Sequence, residues 1–279
     1  MANEYGAGMY VWFGFLMPFE DRLRLIRESG FKSICTWFGN EFSHINGDFR
    51  DQTHLADRYG LKVEHAHIPY YRANDLWADT LDGQALFDSY KKDIDNASRF
   101  GPELLTLHPY EKMSDEIADE ALCVGRLKRL TDFALAKGVR IGLENLKETR
   151  VTAELLKKID NPAMGLCFDA GHHHIADKEN FDILEEFGGR LFSLHLHDND
   201  GLSDKHLLPF EGTADWPRFM AALQRTAYRG TLMLESCNPF KKEIADLRAV
   251  EEQPPYPEAA AFTARAFQAC RRLERLNLE

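Results

Sequence analysis

Several short apolar runs in this chain end on an acid or a histidine, side chains that move protons or bind metals. Ile-Gly-Leu leads to Glu144, Cys-Phe to Asp169, Ser-Leu to His195 and Leu-Met-Leu to Glu235. A carboxylate buried in an apolar strand is unfavourable unless it is ion-paired or holds a metal. Taken singly, Glu144 or Glu235 also fits a structural ion pair. Asp169 precedes Ala170-Gly171-His172, a small-residue turn that lets Asp169 and His172 face the same way, while His173 and His174 read as a solvated loop. In His195-Leu196-His197 the strand period of two puts both imidazoles on one face, so either is a candidate ligand. Asp204 and His206 follow with one residue between them, a spacing that can grip one metal from a turn. Earlier in the chain His65, His67 and His108 stand at strand ends close to prolines, each on its own a hydrogen-bonded core histidine. Jointly these bland readings fail, because Lys and Arg are almost absent from the same strand ends. A divalent metal is the simplest compensation. Mixed oxygen and nitrogen donors suit Mn2+, Zn2+, Co2+ or Fe2+ better than Ca2+.

These side chains need elements that bring strand ends together. Apolar runs at 8–15, 31–38, 61–69, 104–108, 139–146, 164–169, 191–198 and 230–236 predict eight strands. Between them, helical periodicity covers 19–29, 86–100, 116–136, 153–159 and 216–227, and a last helix covers 256–276. Gly30, Gly60, Gly101, Gly138 and Gly230 close helices in the left-handed conformation. Alternation from end to end argues for a parallel sheet. The chain has neither GxGxxG after the first strand nor a phosphate-binding GxxxxGK[ST]. It therefore predicts a single α/β domain over 1–279, a (β/α)8 TIM barrel with no organic cofactor. The polar stretch 238–257 reads as a rim or lid inserted after the eighth strand.

Composition agrees with such an enzyme. The chain has 279 residues, and barrels of this kind take about 250. Five scattered cysteines without a CxxC pair suggest neither disulfides nor a zinc knuckle. No apolar run nears the roughly 20 residues that span a bilayer, and the N-terminus lacks a signal pattern. A cytoplasmic protein with no membrane partner is expected. A net charge of −11 disfavours a nucleic-acid partner. Homo-oligomerisation is left open.

GLENL, CFDAGH, HxHD in strand seven, DKHLLPFEGTADW, Tyr228-Arg229-Gly230 and LMLES occur here in that order. In this the chain resembles the xylose-isomerase-like TIM-barrel superfamily, from Gly8 to the C-terminus. That group contains metal-dependent sugar isomerases and epimerases and the endonuclease-IV-type AP endonucleases. In the epimerase branch the resemblance implies one metal held by Glu144, Asp169, His195 and Glu235. His195 is preferred because it stands three residues before Asp198; His197 with Asp200 has the same spacing. The implied chemistry is an enediolate stabilised by the metal, with Glu144 and Glu235 exchanging a proton beside a carbonyl and His172 on a carbohydrate hydroxyl. An arginine that contacts substrate in some ketose epimerases has no counterpart after His195. The nuclease branch instead implies three zinc ions on His67, His108, Glu144, Asp169, His172, His195, Asp204, His206 and Glu235. The segment 37–50 lacks an Arg- and aromatic-rich DNA-penetrating loop, so carbohydrate chemistry is the preferred reading. A catalytically dead binding barrel would have no need of so many buried polar groups.

Overall fold

The structure is a computed structural model and describes residues 5–15, 17–111, 119–177, 180–238 and 256–276. The apolar runs form β1 (Gly6–Tyr10), β2 (Ser33–Trp37), β3 (Lys62–His67), β4 (Leu104–Leu107), β5 (Arg140–Glu144), β6 (Met164–Asp169), β7 (Leu191–His195) and β8 (Thr231–Leu234). Consecutive strands pair in parallel from β1 to β7, and β8 pairs with β1. One bridge, Leu196 with Leu234, joins β7 to β8 and brings the sheet round into a barrel. All six residues of β6 are buried, as expected where one face meets the barrel interior and the other the helix layer.

The helices are α1 (Phe19–Ser29), α2 (Ser43–Asn46), α3 (Gln52–Arg58), α4 (Leu81–Phe100), α5 (Glu120–Lys137), α6 (Thr149–Lys158), α7 (Ala170–Ala176), α8 (Asp182–Phe187), α9 (Trp216–Gln224) and α10 (Pro257–Leu276). Several starts carry side-chain caps: Thr80 accepts from Gly83 N, Asp119 from Leu122 N and Asp215 from Arg218 N. No helix among the described residues is long and apolar enough to cross a membrane.

Three expectations change. The segment 170–176, read as a turn and a solvated loop, is helix α7, because the Asp169 carboxylate accepts from His172 N at 2.6 Å and caps it. His173 is buried, with its ring stacked on Phe181 at 4.5 Å and Nε2 bonded to Asn180 O. Gly230 has no positive φ; it is needed for space, since a Cβ there would lie 2.5 Å from the Tyr228 hydroxyl. β1 ends at Tyr10, five residues early, and the chain turns away through Gly14 at φ 87°. Residues 239–255 of the expected rim or lid lie outside the described residues.

Candidate metal centre

Glu144, Asp169, His195 and Glu235 come from the C-terminal ends of β5, β6, β7 and β8, the face on which barrel enzymes build their sites. Each offers one ligand atom, and the four atoms lie within 4.8 Å of one another. His195 Nδ1 is 3.3 Å from Glu144 Oε2 and 3.2 Å from Glu235 Oε2. Among the described residues neither His195 Nδ1 nor Glu144 Oε2 has a hydrogen-bond partner, although both are fully buried. Lone pairs that converge without bonding one another are what a cation site offers, so these donors fit a divalent ion.

The other candidates surround this group. His67 Nε2 and His108 Nε2 each stand 3.3 Å from Glu144 Oε2 and 3.0 Å from each other. On the opposite side His172 Nε2 is 3.1 Å from Asp204 Oδ2, and His206 Nε2 is 3.5 Å from Asp204 Oδ1. His197 stacks on His206 with centroids 3.9 Å apart and points Nε2 at Asp169, 3.2 Å away. His197 can lie there only because residue 171 is glycine, since a Cβ would sit 1.9 Å from its Cε1. The sequence preferred His195 by its spacing to Asp198, with His197 as the alternative. The structure sets His195 within the four-residue group and His197 beside it, against His206 and Glu235.

Electrostatics follow from this crowding. Burial alone would raise the Glu144 carboxyl, but His195 and His108 outweigh it and hold it well below the usual carboxylate range. Glu235 is lowered in the same way, burial being overcome first by His195. Burial disfavours charge on His195, yet Cys167, Glu235 and Glu144 keep its pKa well above the ordinary histidine value. His172 is likewise raised, by Asp169, Asp204 and Glu144 against burial.

Across residues 23–266 the sequence matches the family described as xylose isomerase-like TIM barrel. This chain belongs to that family. A 3-dehydroshikimate dehydratase from Pseudomonas putida is 25% identical over 257 residues, 84% of this chain and 40% of that protein. An L-ribulose 3-epimerase from Methylomonas sp. is 31% identical over 136 residues, 46% of this chain and 45% of that protein. Each match spans less than half of the relative's length. Among solved structures, a D-psicose 3-epimerase from Clostridium cellulolyticum H10 shares the fold, with a TM-score of 0.75 at 14% identity, covering 98% of this chain and 99% of the other.

In this xylose isomerase-like barrel several residues hold the site in ways the sequence did not show. Asn145 donates to Asp169 O and accepts from Asp169 N, both at 2.9 Å, tying the ends of β5 and β6. Asp198 accepts from the backbone of Asn199, Phe210 and Ala214 and from Trp216 Nε1, which shapes the loop bearing Asp204 and His206. An aromatic wall borders the His67 side. Trp37 stacks on His67 at 5.7 Å and also touches Phe42, Tyr70 and Tyr71, while Trp12 packs on Phe42. In the chain Trp37 ends β2, while Trp12, Phe42, Tyr70 and Tyr71 follow β1, β2 and β3.

Proposed function

We propose that this barrel is a metal-dependent isomerase or epimerase of a sugar or sugar derivative, moving a proton at the carbon beside a carbonyl. The observation that carries the reading is the approach of Glu144 and Glu235 to one nitrogen, His195 Nδ1, from strands separated by β6 and β7. Two carboxylates so placed bracket a small substrate and can act on it as base and acid. Glu144, Asp169, His195 and Glu235 would hold the ion. When bound, a divalent ion polarises a carbonyl and stabilises the negative charge that develops on its oxygen.

The chain's own groups supply the remainder. Both glutamates are held below the usual carboxylate range, so each rests as a carboxylate; one takes the proton from carbon, and the other must gain a proton from solvent before it returns one to the opposite face. His172, with Nε2 toward Asp204, is placed to bind a hydroxyl. The wall of Trp12, Trp37 and Tyr71 gives an apolar surface for the C–H face of a sugar. The relatives named an epimerase and a dehydratase support this class, since proton removal beside a carbonyl can open either reaction.

A second reading is phosphoester hydrolysis at a multinuclear site. It is favoured by the additional donor group of His67, His108 and Glu144. Metal content and reaction separate the two. The isomerase reading expects one tightly held transition metal per chain and exchange of a ketose α-proton with solvent deuterium. Glu144→Gln and Glu235→Gln should each abolish that exchange. Two or three metals per chain, with cleavage of an abasic-site duplex and no exchange on any ketose, would overturn it.

A further inference from the structure

His195 has different surroundings on its two nitrogens. Nδ1 faces Glu144 and Glu235 and makes no hydrogen bond. Nε2 lies 2.9 Å from Nε2 of His65, with the two rings 23° from parallel and 5.1 Å apart. Both rings are buried, 1% and 2% exposed. A hydrogen bond between two imidazole nitrogens holds one proton, so one ring donates and the other accepts. A ring that gives its Nδ1 lone pair to a metal keeps its proton on Nε2. His195 must then be the donor and His65 the acceptor, which leaves the His65 proton on Nδ1.

We propose that His65 is a positioning residue that fixes His195 as its Nε2–H tautomer and turns Nδ1 toward the metal. This rests on the metal-centre reading above. The strand is irregular just before the contact. The register of β2 on β3 slips between Ile34 and Cys35, so that Val63 pairs with Ile34 and His65 with Cys35, leaving Glu64 as the extra residue. In a regular strand Glu64 and His65 would face opposite sides. Here Glu64 reaches Ser33 and Thr231, and His65 still reaches His195 inside the barrel. A bulge beside a site commonly re-aims a side chain in this way. His197 is held differently: its Nε2 faces Asp169, and its Nδ1 has no hydrogen bond.

The test is the proton's position, read from long-range 1H–15N spectra of the imidazoles. Spectra are recorded with Zn2+ bound and again after chelation at alkaline pH, with His195 assigned by its loss in His195→Gln. The expected result is a proton on Nε2 of His195 and on Nδ1 of His65 in both forms. His65→Leu should weaken Zn2+ binding about 10–100-fold. His65→Gln, whose amide oxygen accepts from an Nε2–H, should recover most of that loss. A neutral His195 ring with its proton on Nδ1 and none on Nε2 after chelation, or unchanged Zn2+ affinity in His65→Leu, would overturn the proposal. If His65→Leu does not fold, the spectrum of the unaltered protein decides. Absence of Zn2+ binding by the unaltered protein would instead count against the metal centre, and the tautomer in the chelated protein would still be read.

Discussion

Glu144 is the point on which most of the barrel mouth converges, with His67, His108 and His195 all 3.3 Å from its Oε2. Such a group titrates as a whole. Without a metal, His172 and His195 are held above the ordinary histidine value by the acids around them, so both carry protons near neutrality. A cation held by the four-residue group must displace the proton on His195 Nδ1, and binding releases it to solvent. Affinity for Zn2+ should therefore rise with pH, and the rise should lie above the ordinary histidine range because the His195 pKa is raised. Titration calorimetry in buffers of different ionisation enthalpy measures the release; no released protons would contradict this account. Glu144, Asp169, His195 and Glu235 were legible in the sequence because each stands at the end of an apolar strand, where an ionisable group is conspicuous. His65 was visible only as a core histidine. Its link to His195 is a contact between residues 130 positions apart, which leaves no local pattern.

At the scale of elements, the loop after β7 is the clearest case of a residue changing meaning. From sequence Asp198 served to mark His195 by spacing; in the fold it is buried and accepts four hydrogen bonds that shape the loop out to Trp216. Asp198→Ala leaves those donors unsatisfied and should lower stability by about 2–4 kcal/mol, read by urea denaturation. Helix α4 provides a pH effect of its own. Burial, reinforced by Glu41, raises the Asp93 carboxyl from 3.8 to about 7. A raised acid holds its proton longer in the folded state than in the unfolded one. Its contribution is therefore present at low pH and is lost as pH rises from about 4 to about 7. Asp93→Asn should raise the melting midpoint by about 2–4 °C at alkaline pH and change little near pH 4. Helix α7 shows why short helices escape a periodicity search: its seven residues offer too few turns for a pattern, and its start is set by the Asp169 carboxylate.

For the whole molecule, the barrel was readable from eight apolar runs alternating with helical periodicity, and the strand order follows that alternation without exception. What sequence could not show is that the ring is unevenly sewn. β5 and β6 pair over four consecutive positions. β7 and β8 meet at one bridge, with Leu196 N on Met233 O and Glu235 N on Leu196 O, both at 2.9 Å. His195 and Glu235 stand on either side of that seam. An ion shared by them would act as a clasp, and its removal would let the barrel breathe along one line. In hydrogen–deuterium exchange the amides of Leu196 and Glu235 should then exchange faster than those of Ile141 and Asn145, which bond across to Ala163 and Cys167. Adding Zn2+ should slow the first pair while hardly changing the second. The weakest join in the ring would thus be the place where a ligand is felt as rigidity.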